Sequence, residues 1–329
     1  MKKTFLLFFC LTPVLIFYFN SCSDSVITPV KGEYTQWEKV DSTSTGEYIS
    51  MISQDENNYA YYITHLGLYT ANRNYKKKYS ISDNSFRAEL VNTYSANYTV
   101  VYGLADNFKY KLYIFDGENS NEITLDSINL FSSMEMVVVQ PGKIFASLGG
   151  RIYKYDNGVI TKDSIPYYSV TSFANTPSGL YAFSDYISGC NTYVYDGSHF
   201  KFHSEQVRQG ENVPLGNSLA RITSPQTNVF ALSYYTNKWD FITNISAYII
   251  LTISGADKNY FYTTIVDTNY NKAGFIWNGT AFVKDENFPL GPHNWPVGEV
   301  SQMKNSVFYY TESFSGKSYL YKVSRVPVY

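Results

Sequence analysis

The stretch SMEMVVVQPGKIFASLGGRIYKYDNGVITKDSI (133–165) decides the fold. It divides into four short runs: SMEMVVV (133–139), KIFASL (143–148), RIYKY (151–155) and VITKDSI (159–165). Gln140-Pro141-Gly142, Gly149-Gly150 and Asp156-Asn157-Gly158 separate them. Apolar residues at every second position mark half-buried strands, and Asn-Gly between two such runs marks a tight hairpin with positive φ. The stretch therefore reads as a meander of four antiparallel strands.

The same pattern recurs outward in both directions. Runs like the second strand stand at 59–64, 98–103, 143–148, 179–184, 228–233, 259–264 and 306–311. Runs like the third strand follow each of them: GLYTANRN (67–74), KLYIFDG (111–117), RIYKYDNG (151–158), NTYVYDG (191–197), KWDFITN (238–244), GFIWNG (274–279) and SYLYKVS (318–324). Both series have seven members, spaced by about 41 residues. A period of that length with several short strands per unit is the signature of propeller blades. A sandwich or two smaller sheets would impose no single period. No long amphipathic helical pattern follows residue 33. The expected fold is thus all-β, a seven-bladed β-propeller of four-stranded antiparallel blades. The fifth repeat is read as irregular, with 206–218 a loop and no proper outer strand.

The chain ends support a ring. The last repeat stops soon after its third strand, while YTQWEKVD (34–41) precedes the first repeat and is similar to the outer strands 197–205 and 279–287. An incomplete last blade leaves an open edge. Pairing 34–41 with 318–324 would complete that blade and close the ring.

The runs IFASLGGRIYKYDNG (144–158) and LYAFSDYISGCNTYVYDG (180–197) resemble blades of kelch-type and galactose-oxidase-type propellers. The resemblance covers 34–329 in architecture and implies no particular activity. A galactose-oxidase-like copper site would need paired His and Tyr ligands with a Cys–Tyr crosslink, and four scattered histidines do not supply it.

Composition limits function. Of the 329 residues, 44% are hydrophobic, enough for a real core, and 33 are Tyr, which favours pleated, half-buried surfaces. The formal charge of −2 lacks the basic excess that nucleic-acid binding needs. Lys2 and Lys3 ahead of the apolar run 5–19 read as a secretory signal, residues 1–21. The following Asn20-Ser21-Cys22 resembles the lipobox of bacterial lipoproteins, which implies a lipidated Cys22 carrying palmitate-type chains. By the same resemblance, Ser23 implies outer-membrane sorting. Residues 22–33 form the tether and 34–329 one propeller domain. Cys190 is then the single thiol left besides the lipidated one.

In a propeller, the connections from one blade to the next (D–A) and between second and third strands (B–C) share one face. The A–B and C–D turns share the other. The longer connections all fall in the first class: 104–110, 185–191, 206–218, 267–272 and 287–297. Binding sites tend to be built on such loops. Arg208, Glu211, Asn269, Tyr270, His293 and Trp295 are the expected ligand or partner contacts. His199 and His203 lie on a strand about 13 Å apart and cannot share a metal ion. DTNYNK (267–272) starts like a calcium loop but has Lys272 where the turn needs Gly. Neighbouring carboxylates, Asp55-Glu56 and Asp285-Glu286, read as solvated charge.

No metal, cofactor or catalytic set is expected. The favoured reading is a lipid-anchored, non-catalytic binding or scaffold module. It would meet an envelope protein or glycan through the D–A/B–C face. Alternatives are a glycan hydrolase or lyase with residues drawn from several blades, and a structural part of an envelope assembly.

Overall fold

The computed structural model describes residues 33–72, 75–81, 83–105, 109–117, 119–127, 134–165, 169–186, 189–206, 210–289 and 298–327. Strand β1 (Glu33–Ser42) stands apart at the start. The first blade is β2 (Met51–Gln54), β3 (Ala60–Thr64), β4 (Gly67–Asn72) and β5 (Tyr75–Tyr79). The second is β6 (Arg87–Ser95), β7 (Tyr98–Ala105), β8 (Lys109–Asp116) and β9 (Asn119–Ser127). The third is β10 (Met134–Gln140), β11 (Lys143–Leu148), β12 (Arg151–Asp156) and β13 (Val159–Ser164). The fourth is β14 (Ser172–Thr176), β15 (Gly179–Tyr186), β16 (Gly189–Tyr195) and β17 (Phe200–Gln206). The fifth is β18 (Glu211–Leu215), β19 (Ser218–Gln226), β20 (Val229–Tyr235) and β21 (Trp239–Ser246). The sixth is β22 (Ile249–Asp257), β23 (Tyr260–Val266), β24 (Lys272–Trp277) and β25 (Phe282–Lys284).

The seventh blade joins both ends of the chain. Its sheet runs β1–β27–β26, with β26 (Val307–Phe314) and β27 (Lys317–Pro327). An inner segment, 298–304, is tied to β26 by the bridges Val300↔Tyr310 and Lys304↔Val307. Strand β1 pairs antiparallel with β27 from Glu33↔Pro327 to Ser42↔Tyr319, so it is the outermost strand, as the sequence predicts. Seven antiparallel blades closed by the N-terminal strand form the ring.

One expectation is corrected. The fifth blade is complete, and the segment 206–218 is not a loop because Glu211–Leu215 forms its innermost strand. The runs at 228–233 and 238–244 coincide with the third and fourth strands, β20 and β21, instead of the second and third. The second strand, β19, hides its character because Arg221 occupies an inward position that normally holds an apolar residue. Taking the aromatic-rich VFALSYY for the second strand shifted the reading by one strand. The apparent gap in spacing came from that shift.

Turn chemistry follows the sequence. Asn157 and Gly158 both have positive φ (48° and 95°), the pair of left-handed residues that a tight type I′ hairpin needs. Alternation places apolar side chains between blades. Phe145, Ile152, Leu180, Ala182, Tyr193 and Phe200, for example, form one cluster between the third and fourth blades.

Polar contacts stitch the inner strands. Ser254 Oγ donates to the Ser301 carbonyl (2.6 Å), and Ser301 Oγ donates to Gln54 Oε1 (3.1 Å). Lys304 Nζ reaches the carbonyls of Gln54 (2.6 Å) and Thr93 (3.2 Å), spanning three blades. Its burial there lowers the ammonium pKa.

The outer closure centres on Trp37 of β1. Its indole N–H donates to Asp285 Oδ2 (2.9 Å), which also accepts from the Tyr262 hydroxyl (2.9 Å). The Trp37 ring meets Tyr262, Phe288, Tyr310 and Tyr321 edge-on at 5.5–6.1 Å. The Asp55 and Asp285 carboxylates are not solvated: Asp55 is buried under its own turn, accepting from the backbone N–H of Asn57 and Tyr59. Replacing Trp37 with Ala should cost about 3 kcal/mol, through lost burial and the loss of one of the donors on the buried Asp285 carboxylate. Denaturant or thermal unfolding of the variant, showing a drop in Tm of several degrees, checks it. An unchanged Tm would mean that β1 does not hold the ring.

Candidate functional site

The D–A/B–C face carries the expected residues that the structure describes. Glu211 is exposed at the start of β18. Asn269 and Tyr270 lie in the B–C connection of the sixth blade. There Asp267 Oδ1 accepts from the backbone N–H of Asn269 (2.8 Å) and Asn271 (2.8 Å). That carboxylate is thus consumed in holding its own turn. The turn lifts Tyr270, at φ 65°, out to 59% exposure. Both places open on the same face. Arg208, His293, Trp295 and Cys22 lie outside the described residues.

Tyr270 belongs to a larger apolar rim. Its ring lies 4.9 Å from that of Tyr248, beside exposed Ile249. Phe314 at the end of β26, Tyr48 in the connection to the first blade, and Leu66 in that blade's B–C turn are exposed too. These six side chains sit on one face of three consecutive blades: sixth, seventh and first. The other large exposed apolar residues are scattered: Tyr75, Val159, Ile160, Phe202 and Phe241 lie on outer strands and Tyr94 near the A–B end of β6. Single exposed apolar residues are ordinary, whereas their concentration on one rim marks an interaction surface.

The inner strands add charge at the channel mouth. Glu89, Glu135, Glu211 and Glu299 all lie at or near the D–A/B–C end of an innermost strand, each in a different blade. Glu89 is paired with Arg87 (2.5 Å). Burial pushes Glu299 above the usual carboxylate range and Glu135 up to about 8. Glu135 stands opposite Ser147 in the β10–β11 ladder. Ser147 is fully buried with its hydroxyl unpartnered, and so is Ser184.

A second polar cluster lies between the fourth and fifth blades. Arg221, 1% exposed, donates from Nη2 to Asp185 Oδ1 (2.9 Å) and lies over the Trp239 ring (5.5 Å). Thr171 Oγ1 also donates to Asp185 (3.1 Å). Cys190 is buried beside this pair, where desolvation pushes its thiol up to about 12 and makes it inert. Sequence reading missed Arg221 and Glu135. The signal for both was a charged residue at an inward position of an otherwise apolar alternation.

His199 and His203 sit apart in separate contacts: His199 Nδ1 is 3.5 Å from Asp163, and His203 Nε2 is 3.3 Å from the Asn237 carbonyl. His199 borders a side groove of about 270 Å³ between the third and fourth blades, lined also by Lys154, Lys162 and Tyr195. Among the described residues, no helix is long and apolar enough to cross a membrane.

No protein-family model matches the chain, and no curated protein matches it in sequence. Solved propellers match it in shape. The chain is similar to YCF48 bound to D1 peptide, with TM-score 0.62 and 14% identity, covering 90% of this chain and 99% of that one. It is similar to a catalytically inactive virginiamycin B lyase from Staphylococcus aureus with quinupristin, at TM-score 0.60 and 10% identity, over 88% and 99% of the two chains. It is also similar to the propeller domain of the Trilobed protease from Pyrococcus furiosus, which has an open velcro topology. That match has TM-score 0.54 and 15% identity, over 75% and 85%. At these identities the likeness is one of fold.

A carboxyl whose folded pKa lies above its unfolded value stabilises the fold only while protonated. Glu135 therefore supports the fold fully below about pH 4.5, and that support is lost as the pH rises to about 8. Glu135→Gln should match the wild type in Tm at pH 4.5 and exceed it increasingly towards pH 8.5. Thermal unfolding across that range checks the sign; a constant difference would place Glu135 in solvent.

Proposed function

We propose that this propeller is a non-catalytic binding module that takes a protein partner on its D–A/B–C face. It is held at the cell envelope by lipid on Cys22. The observation that carries the reading is the apolar rim on three adjacent blades, set around a channel mouth lined with glutamates. The fold neighbours support a protein-binding role, since YCF48 was solved with a D1 peptide and another similar propeller sits in a mitotic checkpoint complex.

Topology gives the proposed anchor an orientation. Strand β1 is the fourth strand of its blade, so it runs from the A–B/C–D face towards the D–A/B–C face. A tether entering at Glu33 meets the propeller on the face opposite the rim. A protein lipidated at Cys22 would present the rim away from its membrane, in the outer membrane by the sorting residue Ser23.

A second reading, a glycan hydrolase or lyase, has one observation in its favour. Glu135 is held protonated near neutral pH, as a general acid must be.

Capture from an envelope extract tests the proposal. Tyr270→Ser combined with Tyr48→Ser should abolish capture of a specific protein while leaving Tm unchanged. Such loss corresponds to removing interface anchors worth about 2 kcal/mol each. Trp295→Ala and Arg208→Ala extend the test to the remaining expected contacts. Capture undiminished by all four changes would refute the face assignment. Cys22→Ser should move the protein from the membrane pellet to the soluble fraction with its fold intact; retention in the pellet would refute the anchor.

A further inference from the structure

Strand alternation sets which way the side chains of the third and fourth blades turn. Phe145 packs against Leu180 and Ala182 across the interface between these blades. Ser147 is two residues beyond Phe145 on β11, and Ser184 two beyond Ala182 on β15, so each keeps the facing direction of its neighbour. Ser147 thus turns towards the fourth blade and Ser184 towards the third, at the D–A/B–C end of both strands. Glu135 is the ladder partner of Ser147 and shares its face. Two fully buried hydroxyls without partners among the described residues therefore face the same interface end as a half-buried carboxyl that no described cation pairs.

This arrangement is costly as it stands. A buried hydroxyl without a hydrogen bond and a buried carboxyl without a counter-charge each lose their hydration for no return. Folds keep such groups where a ligand completes them. Once an approaching cation ionises Glu135, its carboxylate and the two hydroxyls offer acceptors for three N–H donors, which is what an ammonium carries. The set is too small for calcium, which takes six to eight oxygens. A planar guanidinium fork suits the carboxylate alone, whereas three separate oxygens suit the three diverging donors of an ammonium.

We propose that the channel mouth between the third and fourth blades receives a lysine side chain of the protein partner, its ammonium held by Glu135, Ser147 and Ser184. The proposal rests on the protein-binding reading of this face and specifies the chemistry it selects. The exposed Glu211 at the same mouth draws a cationic group inward. The apolar rim of Tyr48, Leu66, Tyr248, Ile249, Tyr270 and Phe314 lies across the ring from this site and would meet a separate part of the same partner.

The test uses the full chain and a heptapeptide with one lysine between phenylalanine and leucine. Its control is the same peptide with Nε-acetyllysine. Calorimetric titration should show binding of the first and at least about tenfold weaker binding of the second, the loss of a charge-assisted contact. Glu135→Gln should weaken the lysine peptide by a similar factor. The double variant Ser147→Ala with Ser184→Ala should weaken it severalfold with Tm preserved or raised. Equal affinity for both peptides, undiminished binding by Glu135→Gln, or no binding of either peptide would overturn the ammonium receptor. So would calcium ions competing with the lysine peptide for the site. Extract capture separates this from the parent reading: capture lost on Tyr270→Ser with Tyr48→Ser but fully retained by Glu135→Gln would keep the protein-binding face and discard the lysine site.

Discussion

The indole N–H of Trp37 on the Asp285 carboxylate is the contact on which the ring depends. A propeller is a row of sheets that becomes a closed body only when its last blade meets its first. Here the last blade lacks its outer strand until β1 arrives from the other end of the chain. Ladder bonds with β27 supply most of the attachment, but a ladder alone does not fix register. Trp37 does: its ring fits among four tyrosine and phenylalanine rings from the sixth and seventh blades, and its single donor is shared between Thr35 Oγ1 and the Asp285 carboxylate that also accepts from Tyr262. A slip of one residue would turn Trp37 to solvent and take one donor from the buried Asp285 carboxylate.

The rest of the molecule keeps apolar packing in the middle of each blade interface and polar contacts towards the strand ends. Towards the A–B turns, a chain of contacts through Ser301, Gln54, Lys304 and Thr93 links three blades. On the opposite face, between the fourth and fifth blades, Arg221 and Asp185 form a paired cluster. One interface over, Glu135 has no such partner among the described residues. Two neighbouring interfaces thus treat a buried charge in opposite ways, and the unpaired one faces the channel mouth.

Sequence alone read the architecture well because propeller blades are written in a short code. Alternation gives strands, Gly and Asn give hairpins, and a fixed period gives the count. The velcro strand was legible too, since 34–41 has the pattern of an outer strand with no blade of its own. The fifth blade was misread for one reason. Its second strand carries Arg221 facing inward, and that charge breaks the alternation for any eye that cannot see Asp185 across the interface. The burial of Asp55 and Asp285 was missed for a related reason, because their partners are backbone amides of a turn and an indole about 250 residues away. Of the expected contacts, Glu211, Asn269 and Tyr270 came from loop position and do open on one face. Glu135 was passed over because it sits within a strand.

Closure by the first strand has a consequence for how the protein is made. Strand β1 is the earliest part of the domain to be synthesised, yet its partner β27 is the last. Until β27 emerges, a nascent chain holds six blades that can form by local hairpins and one strand that must wait. Local contacts form quickly, whereas a pairing between residues 33 and 327 carries a large loop-closure cost. The waiting segment, with Trp37 and its neighbours, is a sticky edge for as long as elongation lasts. A prematurely terminated chain can never bury it. The same seam that makes the finished ring stable therefore acts as a completeness check, because only a chain carrying both of its ends can hide its own first strand.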